Sequence, residues 1–178
     1  HHHLSVYRGD ELPDISEMTF GVITSEWNWE ITGKLQEGCI KTLLKEGVEK
    51  DNIISLKVPG SFELPTAASL LAENVGPNAI ICLGCIIKGD TKHDEYIANA
   101  VAHGIMSVGT EQNVPTIFGV LTTDSEQQAK DRAGGKHGNK GVEAAVSAIK
   151  MASLAIEIRG MDDGLDGASL LEGLFGEH

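Results

Sequence analysis

The chain has 178 residues, and 14 Lys plus Arg against 26 Asp plus Glu give a formal charge of −12. That balance disfavours partners held mainly through phosphate charge and argues against nonspecific nucleic-acid binding. At 41% hydrophobic and 22% charged residues the composition is that of an ordinary globular domain, and one domain is expected. The longest apolar stretch, 79–87, falls short of the ~18 residues of a membrane span, and no charged-then-apolar signal segment opens the chain, which predicts a cytoplasmic protein with no membrane partner. His1, His2 and His3 read as the remnant of a purification tag, within an N-terminal arm at 1–18 that precedes a domain at 19–159.

Four apolar runs rich in β-branched residues, at 20–24, 53–58, 79–87 and 116–121, alternate with helical patterns. After the first, Ile31, Leu35, Cys39 and Leu43 recur every fourth residue, the spacing of a helix facing a sheet, and Gly47 is placed to stop it. A helix over 64–74 follows the second run and closes at Gly76-Pro77; a long helix over 91–110 follows the third, and Pro115 marks entry to the fourth. Beyond it come a helix over 125–133, a glycine-rich break at 134–138 and a helix over 140–158. Continuous apolar strands joined by helices predict an α/β fold with a parallel sheet buried on both faces. Residues 160–178 carry Asp162, Asp163, Asp166, Glu172 and Glu177 with no Lys or Arg, and read as a mobile acidic tail. Leu170, Leu171, Leu174 and Phe175 offer the alternative of an apolar face that docks on a partner or on the assembly.

Three cysteines cannot all pair within one chain, which argues for reduced thiols. Cys82 and Cys85 have the spacing of a redox or zinc motif, yet they lie inside a β-type run, where residues three apart point to opposite faces. Core positions are predicted, and no metal site.

Ligands of open α/β sheets bind at the carboxyl ends of the strands. The segments there are Ser25-Glu26-Trp27-Asn28, Pro59-Gly60-Ser61-Phe62-Glu63, Lys88-Gly89-Asp90-Thr91-Lys92-His93 and Thr122-Thr123-Asp124. In the third, Gly89 permits close backbone approach and the following helix start presents free N–H groups, the makings of an anion cradle. Residues 84–91, GCIIKGDT, imitate the nucleotide-binding pattern GxxxxGK[ST], but Asp90 stands where the phosphate-binding Lys belongs, which rules against an ATP or GTP site. His93 falls in the first turn of that helix, where the helix end disfavours imidazolium and Asp94 and Glu95 favour it, a residue type suited to proton exchange. From spacing alone a surface histidine and a functional one weigh equally, and His103 faces elsewhere on the helix, which leaves no two-histidine metal site. Trp27 and Phe118 stand out among 4% aromatics as residues that could stack on a flat heterocycle, with core packing the default reading for both, more strongly for Phe118 than for Trp27, which sits in a loop among polar residues. Arg132, Lys136, His137 and Lys140 form a local basic cluster in an acidic chain, a weak pointer to an anion.

Taken together, VPGSFELP (58–65), GCIIKGDTKHDEYI (84–97) and FGVLTTDSEQQAKDRAGGKHGNKG (118–141) resemble the 6,7-dimethyl-8-ribityllumazine synthase family of riboflavin biosynthesis, over about residues 20–154. The resemblance implies a flavodoxin-like, three-layer α/β/α fold with four parallel strands. It also implies condensation of 5-amino-6-(D-ribitylamino)uracil with 3,4-dihydroxy-2-butanone 4-phosphate to the lumazine, phosphate and water, without cofactor or metal. By the same motifs Trp27 stacks on the pyrimidine, Ser61, Phe62 and Glu63 hold the ribityl side, and Cys85, Ile86 and Ile87 supply backbone contacts. Asp90, Thr91 and Arg132 hold the phosphate, and His93 is the proton donor and acceptor. Asn28 and Lys140 are second contacts, and Phe118 and Arg132 reach the site from the neighbouring subunit of a homopentamer or an assembly of pentamers. Riboflavin synthase is a candidate partner. Asp94 departs from the family, which more often has an aromatic residue there. The competing readings are a flavin-binding protein without turnover and a shell-forming paralogue.

Overall fold

A computed structural model describes residues 14–162. The tag remnant and the apolar face at Leu170, Leu171, Leu174 and Phe175 lie outside the described residues. In chain order the elements are β1 (Phe20–Ser25), α1 (Trp29–Lys45), β2 (Ile53–Val58), α2 (Leu64–Asn74), β3 (Ala79–Ile87), α3 (His93–Gln112), β4 (Thr116–Thr123), α4 (Glu126–Asp131), β5 (Ala133–Gly135), β6 (Gly138–Asn139) and α5 (Lys140–Asp162). Short 3-10 turns at Lys50–Asn52 and Ser61–Glu63 precede β2 and α2. The first four strands form one parallel sheet in the order β2-β1-β3-β4. This is the flavodoxin-like arrangement, with its switch point between β1 and β3.

Period-two alternation on the central strands divides the core into two. Phe20, Val22, Ile81, Leu83 and Cys85 face Leu35, Cys39 and Leu43 of α1 and Ala145, Ala148 and Ile149 of α5. Ile23, Ile80 and Cys82 face Leu64 and Ala68 of α2 and Val101 and Ile105 of α3. The four-residue spacing of Ile31, Leu35, Cys39 and Leu43 is the buried stripe of α1, and Gly47, at φ 107°, ends it as expected. Ile15 and Met18, from the segment expected to be an arm, are buried in the first half-core.

Burial on both faces holds for β1 and β3 but not for the outer pair. β2 exposes Ser55, Leu56 and Lys57, and β4 exposes Phe118 and Thr122. An edge strand has a neighbour on one side only, while the helices cover the middle of the sheet. Several boundaries also differ from expectation. α3 starts at His93 rather than 91, α4 stops at Asp131 with Arg132 as its C-cap, and α5 runs through 160–162, the first residues of the expected tail. The glycine-rich break folds as a small antiparallel hairpin, β5 with β6, whose Gly134 and Gly138 have φ of 95° and 86°. Gly141, just after it, lies so close to α1 that a Cβ there would stand 1.9 Å from the Leu35 carbonyl oxygen.

Candidate functional site

Three hollows open at the carboxyl end of the sheet. The first, of about 320 Å³, is walled by Trp27, Ser61, Phe62, the strand end Cys85-Ile86-Ile87, His93 and Ile97. The loop after β1 is tied to the loop after β2: Glu26 N–H donates to the Val58 carbonyl (2.7 Å) and Trp27 N–H to the Pro59 carbonyl (2.9 Å). Asn28 adopts a left-handed conformation at φ 62°, which asparagine tolerates better than most side chains, and its carbonyl accepts from Ile31 and Thr32 to start α1. Its Nδ2 donates to the Cys85 carbonyl at 3.3 Å, joining the ends of β1 and β3. The indole of Trp27 is 65% exposed and Phe62 57% exposed, so neither aromatic is a core residue.

Ser61 is buried, and its hydroxyl has no hydrogen-bond partner among the described residues although it borders this hollow. The hydroxyl packs against the bare Cα of Gly84 in β3, where a Cβ would stand 2.5 Å from Ser61 Oγ. Glu63 stands behind the wall, its Oε2 accepting from the Gly60 amide at 3.0 Å. Burial pushes the thiols of Cys39 and Cys82 up to about 12. Burial, with a smaller contribution from the negative charge of Glu126, pushes Cys85 up to about 11. All three are protonated core thiols and not nucleophiles, and Cys82 and Cys85 sit in opposite half-cores.

The second hollow, of about 540 Å³, lies over the 88–92 turn, with Asp90, Thr91, Thr122 and Asp124 on its walls. Lys88 N–H donates to the Thr123 carbonyl (2.8 Å), Gly89 N–H to Asp94 Oδ2, and His93 N–H to Thr91 Oγ1 (3.3 Å). The amides of Asp90, Thr91 and Lys92 donate to nothing among the described residues. They stand open at the N-terminus of the 20-residue α3, where the helix dipole favours an anion.

The third hollow, of about 580 Å³, belongs to the β4 edge and joins Phe118, Arg132, Lys136, His137 and Lys140. The hairpin brings these together: Lys140 N–H donates to the Arg132 carbonyl (2.9 Å) and His137 N–H to the Asp131 carbonyl (2.8 Å). Lys140 reaches Glu143 at 3.8 Å and Lys136 reaches Asp131 at 4.0 Å, whereas the Arg132 guanidinium has no ion-pair partner among the described residues.

One chain thus gathers Trp27, Asn28, Ser61, Phe62, Cys85, Ile86, Ile87 and His93 in one hollow and Asp90 and Thr91 in the next, but keeps Phe118, Arg132 and Lys140 apart at the sheet edge. Sequence reasoning passed over Ile97, whose signal is its place one helical turn beyond His93 on the same face of α3. It also passed over the position of Asp94, which borders the first two hollows at once.

The family model for 6,7-dimethyl-8-ribityllumazine synthase matches residues 17–155. Similar curated proteins include the 6,7-dimethyl-8-ribityllumazine synthases of Cytophaga hutchinsonii, 54% identical over 153 residues, and Parabacteroides distasonis, 50% identical over 152. The one from Porphyromonas gingivalis is 49% identical over 154 residues. These matches cover 85–86% of this chain and 95–96% of each relative. Among the described residues no helix is long and apolar enough to cross a membrane. On the length and identity of these matches, the chain belongs to the 6,7-dimethyl-8-ribityllumazine synthase family.

Proposed function

We propose that the protein condenses 5-amino-6-(D-ribitylamino)uracil with 3,4-dihydroxy-2-butanone 4-phosphate, giving 6,7-dimethyl-8-ribityllumazine, phosphate and water. The observation that carries this reading is the placement of His93 on the wall of the aromatic hollow, beside a turn with three open amides. In this reading the uracil ring lies against Trp27. Ser61 and the neighbouring Phe62 meet the ribityl chain, Glu63 fixes their turn, and the backbone of Cys85, Ile86 and Ile87 meets the ring edge. The phosphate sits on the amides of the 88–92 turn with the Thr91 hydroxyl.

The chemistry is amine addition to a ketone with loss of one water, loss of phosphate, and ring closure with loss of a second water. The steps transfer protons and call for no external oxidant or reductant, which suits a positioned imidazole and fixed donors at the departing phosphate. The rest of the barrier is the bringing together of two molecules in one orientation. Arg132 is the group with a free fork for a phosphate, yet it lies at the far edge of the same chain. A ring of copies, each lending Phe118, Arg132 and Lys140 to its neighbour, completes the site in this reading.

The direct test mixes the purified protein with both substrates and follows lumazine fluorescence. Formation of the lumazine, with phosphate released in equal amount, is the expected result. A protein that binds flavin and turns yellow but makes no lumazine would replace this reading with a binding one.

A further inference from the structure

Asp94, the second residue of α3, is half-buried, whereas 88–93 before it are all exposed. Its Oδ2 accepts from the amide of Gly89, five residues back. A Cβ on residue 89 would stand 3.1 Å from that oxygen, so the carboxylate seats against bare backbone. Apart from Ile86, it is the one residue shared by the aromatic hollow and the hollow over the turn. Lys92, the N-cap of α3, offers no side-chain cap, so the turn is closed from its helix side by Asp94.

The same device recurs across the hollow, where the Gly60 amide donates to Glu63. In both places a carboxylate at the start of a helix holds the amide of a glycine in the loop before it. At 88–92 the consequence is chemical. With one amide fixed, the amides of Asp90, Thr91 and Lys92 are held in a short closed loop with no partner of their own. A negative charge so near an anion site repels a phosphate, so the carboxylate's contribution has to come through the hydrogen bond it accepts.

We propose that Asp94 is a positioning residue for phosphate: it binds the Gly89 amide and thereby aims the amides of residues 90–92 at the phosphate group of the butanone substrate. This rests on the reading given under Proposed function for the substrate, but the brace itself is testable without turnover.

The experiment compares the full chain with Asp94→Ala and Asp94→Asn. Inorganic phosphate binding is measured by calorimetry, amide exchange over 88–92 by mass spectrometry, and KM for each substrate by assay. Asp94→Ala is expected to weaken phosphate by about tenfold, the loss of one charge-assisted hydrogen bond's hold on the turn. It should raise KM for the butanone phosphate to match, leave KM for the uracil unchanged, and speed exchange over 88–92. Asp94→Asn keeps an acceptor and sheds the charge, so it should bind phosphate at least as tightly as the parent. Equal phosphate affinity in parent and Asp94→Ala, tighter binding in both variants, or equal loss in both overturns the proposal, as does a parent that binds no phosphate. A parent that binds phosphate and shows these exchange differences but forms no lumazine leaves Asp94's role standing and removes the proposed reaction instead. Light scattering of Asp94→Ala separates loss of the brace from loss of assembly; should that variant not fold, weaker phosphate binding by Asp94→Asn overturns the proposal on its own.

Discussion

The indole of Trp27 rests on the bare Cα of Gly60: a Cβ there would stand 2.5 Å from Trp27 Cε3. Residue 60 has extended backbone, φ −124° and ψ 176°, so alanine leaves the backbone unstrained and crowds the indole above all, with Glu63 Oε2 a lesser contact at 3.2 Å. Gly60→Ala is therefore expected to swing the exposed indole off its seat while leaving the fold intact. Loss of one aromatic stack would weaken the ribitylaminouracil by about three- to tenfold with little change for the butanone phosphate. Tryptophan fluorescence and the two KM values check this, and equal weakening of both substrates would show a collapse of the whole loop.

Asn139 links the hairpin to the core from both sides of its amide. Its Oδ1 accepts from the amides of Gly141 (2.8 Å) and Val142 (3.3 Å) at the start of α5, and its Nδ2 donates to the Lys34 carbonyl (3.1 Å) in α1. Asn139→Ala should cost about 1–2 kcal/mol, a lost helix cap plus a lost bridge. Asn139→Asp keeps the cap and loses the donor, so its urea midpoint should fall between those of the parent and the alanine variant.

These two contacts mark where the sequence stops being readable. The stripe Ile31, Leu35, Cys39, Leu43 is legible because a helix on a buried sheet must repeat its apolar side chains with its own period. Trp27, Ser61 and His93 are legible as site candidates because they follow strand ends, where such folds place ligands. Strand order is different: Ile53–Val58 and Phe20–Ser25 are similarly apolar, yet the first is an exposed edge and the second is buried throughout. Composition records apolar content, not the number of neighbours a strand will have. The hairpin at 133–139 escaped because three glycines in its tip leave no periodic side chains to read. Asn139 reaching Lys34, 105 residues away, escaped because it depends on tertiary closure, and Asp94 reaching back to Gly89 because its five-residue span matches no regular capping spacing.

The buried thiols give a pH dependence of known sign. Cys39, Cys82 and Cys85 ordinarily titrate at 9.0, and in the folded chain burial raises them to about 12, 12 and 11. Below pH 9.0 both states keep these protons and the thiols do not affect the balance. Above it the unfolded chain releases them while the folded chain does not, so stability falls as pH rises, by about 1.4 kcal/mol per pH unit for each thiol until its folded value is reached. Urea midpoints at pH 8 and pH 10 should show the fall. Lysines and tyrosines titrate in the same range, so the decisive readout is Cys82→Ala, which should lessen the drop between the two pH values even if it lowers stability at both. An unchanged drop would mean that the thiol is not shielded in the folded chain.

Within one chain His93 and Arg132 line different hollows, and this separation makes the proposed sharing of sites between copies testable by mixing. His93→Ala alone should lower kcat by about 10²-fold or more with assembly intact, as expected for loss of a proton-transfer group. Arg132→Ala alone should weaken the butanone phosphate by about 10- to 100-fold and the uracil far less, the range for charge-assisted hydrogen bonds. If each site takes His93 from one copy and Arg132 from the next, a ring assembled from both variants contains some interfaces with neither defect. At a one-to-one mixture these are about a quarter of all interfaces in a head-to-tail ring. Co-refolded variants should then recover up to about that fraction of parent activity at low substrate, where each variant alone is poor. Recovery should follow the product of the two variants' fractions, peaking at equal amounts and vanishing for either pure variant. If the two residues instead served one site within a single chain, no mixture would exceed the average of its components, and the neighbour-completed site would have to be abandoned.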